Sequence, residues 1–165
     1  IRDRNKQELF IAVVDKFWFS TQNPRNKFTE TNGTFAEFID EYVRGVQRTM
    51  DMLGDLIGAE REKVAQGKFT YHAQYFHFLF QLLQYDPDAK EKLRNLVDGD
   101  YAYWRAAIQR AIATGELRED VDVEDAVVMF RQVYMGLSFE MAFMGGLNTQ
   151  RLAKHLHAVY SLLKR

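Results

Sequence analysis

Chemistry on a helical scaffold would have to start from histidines and carboxylates, and their spacing here does not assemble any. A di-metal carboxylate bundle needs Glu-x-x-His pairs on facing helices, and none occurs. The zinc-protease pattern His-Glu-x-x-His is missing too. His72 and His77 are five residues apart and do not share a helix face, and His155 and His157, two apart, diverge as well. With no cysteine, disulfides, thiolate metal sites and cysteine nucleophiles fall away together. Gly145-Gly146 follows a helical stretch instead of opening one, so it is no phosphate-binding loop. No catalytic constellation is left. An enzyme is therefore the third-ranked function class, and neither metal nor cofactor is expected.

What the residue types do suit is binding. Thirteen Phe and eight Tyr have to go somewhere. They are densest between Phe69 and Tyr85, where Tyr71, Tyr75, Phe76, Phe78 and Phe80 alternate with His72, Gln74 and Gln81. A pocket for an apolar small molecule needs such walls and a few polar groups to orient the guest. Phe17, Phe38, Tyr42, Tyr75, Phe76, Leu79 and Trp104 are the candidate lining, with His72 and Gln74 as polar contacts. The same rings also read as plain core, and a lone histidine as a satisfied structural side chain.

The elements that must position them are helices almost throughout. Asn5, with Glu8 three residues on, suits a capping box for a first helix carrying Leu9, Phe10, Val13, Val14, Phe17 and Trp18. Ser20 to Gly33 is polar, contains Pro24 and ends it. Thr34 can cap a second helix with the stripe Phe35, Phe38, Ile39, Tyr42, Val43, Val46, Met50 and Leu53. The charged piece Ala59 to Gln66 suits a solvated connector. Phe69 to Tyr85, apolar on nearly every side, is expected at the centre of the domain. Asp86-Pro87 suits a helix start running towards Thr114, with Gly99 as a weak or kinked point and Gly115 as the stop. Asp122 caps the next helix, which stops at Gly145-Gly146, and Asn148 opens a last one. The expected fold is all-α: a bundle of about six to seven helices forming one domain over residues 1–165.

Bulk properties agree. The apolar fraction of 47% supports a real core. A net charge of −1 leaves no excess of cations to hold a phosphate backbone. No run is long and apolar enough to span a bilayer, and the charged start Ile1 to Lys6 lacks an apolar signal core. Absence of cysteine agrees with a reducing compartment, so the expected location is the cytoplasm. The chain lacks an initiator Met and reads as cut from something longer.

Two segments carry a family resemblance. Asn5-Lys6-Gln7-Glu8-Leu9-Phe10-Ile11-Ala12-Val13-Val14 resembles the stretch that follows the helix-turn-helix in TetR-family regulators, where the helix joining head to body begins. Ala111-Ile112-Ala113-Thr114-Gly115-Glu116-Leu117-Arg118-Glu119-Asp120-Val121-Asp122 resembles the turn between that family's two dimerising helices, and Gly136 matches a small residue further along. Helix order and length agree from end to end. The resemblance implies the C-terminal ligand-binding and dimerisation domain of a transcriptional repressor, with its DNA-binding domain missing upstream of residue 1. It implies a homodimer, a small apolar or aromatic ligand, and contact with DNA only through the missing head. A helical lipid or metabolite carrier with no DNA-binding role is the alternative.

The dimer interface follows from two amphipathic stripes. Tyr101, Arg105, Ile108 and Ile112 lie along one side of the Asp86–Thr114 helix, in line with Trp104. Phe130, Tyr134, Leu137, Ser138 and Met141 lie along the next, where Gly136 would allow close approach. Packed against a second copy they would form an isologous four-helix bundle. The alternative is that both stripes face inward on the same subunit.

Overall fold

The computed structural model describes residues 2–28, 33–56 and 71–165, with side chains described for 4–28, 33–52 and 75–165. The charged piece Ala59 to Gln66 lies outside the described residues. All described elements are helical and none is a strand, so the chain is an all-α bundle. Among the described residues no helix is long and apolar enough to cross a membrane.

Helix α1 (Arg2–Val13) passes without a break into a π-helical turn, Val14–Trp18, and then into α2 (Phe19–Thr21). Asn5 therefore lies inside the helix rather than at its cap, and Glu8 pairs with Arg4 one turn back at 3.2 Å. The carboxylate that was expected to close a capping box finds a cation on the same face instead. Asn23 caps the short α3 (Pro24–Lys27), accepting from Arg25 N with proline at the first position. Helix α4 (Phe35–Leu56) opens with a reciprocal capping box: Thr34 Oγ1 accepts from Glu37 N at 3.2 Å, and Glu37 Oε2 accepts from Thr34 N at 2.8 Å.

Helix α5 spans Tyr71–Tyr85, α6 Ala89–Ala113, α7 Val123–Met144 and α8 Thr149–Leu163. Helix α6 starts later than Asp86-Pro87 would suggest. Asp86 instead accepts from Asp88 N at 2.9 Å and caps the turn before the helix. The helix also runs unbroken through Gly99, whose small size serves a contact described below. Asp122 and Asn148 cap α7 and α8 as their types dictate, accepting from Asp125 N and Arg151 N, each at 2.9 Å. Gly145 and Gly146 end α7 with positive φ of 127° and 98°, a backbone state glycine reaches without strain.

One side chain fastens three parts of the bundle. Glu116, in the α6–α7 turn, accepts from Phe35 N at 2.8 Å and Ala36 N at 3.3 Å, and from the Tyr160 hydroxyl on α8 at 2.9 Å. The carboxylate satisfies donors that the start of α4 leaves open and complements its dipole.

The core is divided. The larger part centres on Trp104 of α6, fully buried, with Phe28, Phe35, Phe38, Ile39, Tyr42 and Phe130 around it. Trp104 stacks on Phe130 at 4.9 Å and takes the edges of Phe38 and Tyr42 at 5.1 and 4.9 Å. The smaller part holds Val14, Trp18, Leu82 and Ala89, with Phe10, Tyr75, Phe78 and Leu79 packed against it. It joins the α1–π-turn segment to α5 and the start of α6. The expectation that α5 is the central helix is overturned: Phe80 is 64% exposed, and Leu83 and Tyr85 are exposed as well. Its rings reach sideways to Trp18 and to Phe139 of α7, so the helix lies on the flank. The central position belongs to α6, whose buried face is mostly small residues around a single Trp.

Candidate functional site: a buried polar seam between two cores

Three ionisable side chains meet inside the bundle. Lys27 of α3, Asp100 of α6 and Arg131 of α7 are all buried. Both cations approach the same oxygen, Asp100 Oδ2, with Lys27 Nζ at 3.8 Å and Arg131 Nε at 3.5 Å. These distances are too long for good hydrogen bonds, so the attraction is mainly coulombic. Two basic groups share one carboxylate, and the cluster holds a surplus of one positive charge.

Two helical glycines bring Lys27 there. A Cβ on Gly45 of α4 would stand 1.9 Å from the Lys27 carbonyl oxygen, and one on Gly99 of α6 would stand 2.8 Å from Pro24 Cγ. Any larger residue would push α3 outward. With glycine at both places, α3 lies directly on α4 and α6, and the Lys27 side chain enters the interior.

Tyrosines surround the three charges. The Tyr134 ring lies 5.7 Å from Lys27 Nζ and 5.3 Å from Arg131 Cζ, within cation–π range. Tyr42 meets Tyr134 edge-on at 5.9 Å. Tyr75 approaches from the smaller core, where its ring lies 5.9 Å from Trp18. Burial raises the hydroxyl pKa of Tyr42 and of Tyr75, and the nearby Tyr134 adds to it, against the pull of Arg131. Both remain neutral at physiological pH. Burial works against the charge of Arg131, yet Tyr42, Asp100 and Tyr134 hold its pKa above the ordinary value.

Buried polar atoms without a hydrogen-bond partner among the described residues include Arg131 Nε and Nη1 and Tyr42 Oη of this cluster, and, elsewhere in the interior, Trp104 Nε1, Ser138 Oγ and Gln22 Nε2. Leaving such groups unpaired costs about 1–3 kcal/mol each. All six can donate, and four of them can only donate.

The sequence-derived lining is divided by this arrangement. Phe38, Tyr42 and Trp104 come together on one side of the seam. Tyr75 reaches it from the smaller core, Leu79 packs within that core, and Phe76 packs edge-on against Phe139 at 5.2 Å. Phe17 is not brought in: it is 43% exposed, with Lys16 over its ring at 5.3 Å. The side chains of His72 and Gln74 lie outside those described. Sequence reasoning missed Lys27, Asp100 and Arg131. The available signals were Asp100 four residues before Trp104 on a buried stripe, and the series Arg131, Tyr134, Ser138 along one flank of an apolar helix.

Five of the residues expected on the two interface stripes turn inward. Ile108, Phe130, Leu137, Ser138 and Met141 are buried within the chain itself, and Tyr101, Ile112 and Tyr134 pack against that core. The five buried side chains present no surface to a second subunit, whereas Tyr101, Ile112 and Tyr134 stay partly exposed. Arg105 pairs with Glu124 through two hydrogen bonds of 2.5 and 2.8 Å, bridging α6 to α7, and Gly136 is exposed. The outward face of α7 carries Val128, Met129, Gly136, Phe139 and Phe143, while that of α6 carries Ala102 and Ala106.

Residues 46–156, two thirds of the chain, match the family model described as the tetracyclin repressor-like C-terminal domain. No curated protein and no solved structure matches the chain.

Proposed function

The chain belongs to the tetracyclin repressor-like C-terminal domain family, and from that premise we propose that it is the effector-binding and dimerisation body of a one-component transcriptional regulator. The effector is a small molecule with an apolar or aromatic body, bound at the seam between the two cores. Its binding is coupled to the DNA affinity of a helix-turn-helix head joined to α1. The observation that carries this reading is the seam itself: aromatic walls around buried polar atoms that have no partner among the described residues.

The divided core supplies a route for the signal. The π-turn at Val14–Trp18 and helix α1 belong to the smaller core, while the charged cluster is built mostly on the larger one. A guest between them favours one relative placement of the two parts. Coupling requires only that it bind the two placements unequally. A π-helical turn often marks a functional position in a helix.

The second copy docks on the outward faces of α6 and α7. Ala102 and Ala106 are exposed and small enough to allow close approach, and Val128, Met129, Phe139 and Phe143 are exposed and apolar. Under a two-fold axis the same pair of faces meets its copy, as an isologous interface requires. The test is a thermal-shift screen of aromatic and aliphatic small molecules, read also by the fluorescence of Trp18 and Trp104. At least one compound class should raise the melting temperature with a fluorescence change. A chain that no such compound stabilises would sink the effector reading.

A further inference from the structure

We infer that the effector is a monoanion, a carboxylate on an apolar body, whose charged end is held by Arg131, Lys27 and the neighbouring donors of the seam. This deepens the effector-binding reading above and rests on it.

Three observations converge. The first is charge. Lys27 and Arg131 face a single carboxylate, Asp100, and both approach it through one oxygen. One positive charge is left over in a site shut off from water, where a monoanion brings balance and a dianion overshoots it.

The second is hydrogen-bond polarity. Arg131 is 8% exposed, yet its Nε and Nη1 donors have no hydrogen-bond partner among the described residues. Trp104 Nε1 and Gln22 Nε2 can only donate, and the Tyr42 and Ser138 hydroxyls can do so. Four of the six atoms can only donate and the two hydroxyls can do either, so the surplus is mainly of donors, and at the cluster itself it is led by Arg131 Nε and Nη1. A guest that completes the site must bring acceptors, and a carboxylate brings two oxygens with about four acceptor positions. A guanidinium matches that planar group better than it matches a neutral carbonyl.

The third is the setting. The Tyr134 ring lies over Lys27 and Arg131, Tyr42 meets Tyr134 and Trp104, and Tyr75, which also meets Trp18, interacts with Arg131 and Asp100. These rings can enclose an aromatic or aliphatic body while the charged end meets the cations.

The experiment compares matched acids and amides on the whole chain at pH 7: benzoate with benzamide, 2-naphthoate with 2-naphthamide, decanoate with decanamide. Binding is read by melting temperature and tryptophan fluorescence. At least one acid should bind ten-fold or more tightly than its amide. Arg131→Gln leaves Lys27 and Asp100 as a balanced pair, so it should fold and should bring acid and amide to within about three-fold of each other. Asp100→Asn adds to the surplus positive charge and should widen the gap. Acids and amides binding alike, or amides binding better, would overturn the monoanion inference and leave the effector reading standing. An acid preference unchanged in both variants would also overturn it, since the anion would then sit elsewhere. If no compound of either set binds, the inference fails and the effector reading loses support with it.

Discussion

Replacing Asp100 by Asn removes one charge and almost no volume, and its cost measures how the buried cluster is held. In the parent chain both Lys27 and Arg131 lean on Asp100 Oδ2, at 3.8 and 3.5 Å. Two cations sharing one oxygen at those distances lie within about 7 Å of each other, a repulsion of roughly 2 kcal/mol at an effective dielectric constant near 20. Without the carboxylate nothing offsets that repulsion or the desolvation of either ion. Removing one partner from a buried pair typically costs about 3–5 kcal/mol. For a chain of this size, 1 kcal/mol corresponds to roughly 2–4 °C, so the melting temperature should fall by roughly 10 °C. Urea unfolding at one fixed protein concentration gives the free energy, because association would make the midpoint concentration-dependent. Arg131→Gln is the control: it leaves a neutral pair and should cost less than half as much. An Asp100→Asn loss below about 1 kcal/mol, or an equal loss in both variants, would refute the reasoning that Asp100 is the shared counter-charge.

Three further perturbations probe the scaffold. Gly45→Ala favours helix by about 1 kcal/mol in isolation, but its Cβ would meet the Lys27 carbonyl oxygen at 1.9 Å. Net destabilisation by about 1–3 kcal/mol is expected in urea unfolding, and a variant as stable as the parent would show that α3 shifts freely. Lys92 Nζ bridges Asp15 at 2.7 Å and Asp86 at 2.9 Å, tying the π-turn to the start of α6. Burial alone would raise the Asp86 carboxyl, but hydrogen bonds from Lys92 and Asp88 N outweigh it and hold it below its ordinary value. That stability is present above about pH 4 and lost as pH falls through the lower folded value. Burial alone would lower Lys92, but hydrogen bonds to Asp15 and Asp86 outweigh it and raise it. Its contribution is present below about pH 10.4 and lost as pH climbs through the higher folded value. Lys92→Met should therefore flatten both arms of a melting-temperature profile, and unchanged arms would count against the bridge. Ala106→Glu places a carboxylate on the exposed face of α6, where its own subunit has room. It should halve the mass seen in sedimentation with the helix content intact, and a variant of unchanged mass would move the dimer surface elsewhere.

Periodicity and caps made most of the architecture legible. Thr34, Asp122, Asn148 and Gly145-Gly146 act locally, through side-chain oxygens and a positive φ, so their roles can be read from neighbours along the chain. The position of α5 could not be read this way. Its rings point in many directions, and only tertiary packing decides that they reach Trp18 and Phe139 while leaving Phe80 outside. Ile108, Phe130, Leu137, Ser138 and Met141, expected on the interface stripes, turn inward for the same reason. A helix with apolar residues on two faces does not say which face its own core takes, and Val128, Phe139 and Phe143 lay on the unread side of α7. The polar seam depends on contacts between residues far apart in sequence: Lys27 with Asp100, Asp100 with Arg131, Gly45 with the Lys27 backbone. No local pattern encodes such contacts. Still, charged residues on otherwise buried stripes and glycines in mid-helix were visible signs of a crowded polar interior.

The central claim, that a small molecule at the seam changes how the smaller core and α1 sit on the rest, is tested most directly by hydrogen exchange. The chain is measured with and without saturating 2-naphthoate, peptide by peptide. Slower exchange is expected at Arg131–Ser138, which carries Arg131 and Tyr134, and at Val14–Thr21 and Tyr75–Leu82, the stretches of the smaller core that the signal has to reach. Occupancy shown by tryptophan fluorescence, with exchange unchanged at the π-turn and α5, would contradict the coupling: the ligand would bind without reaching the helix that has to carry the signal.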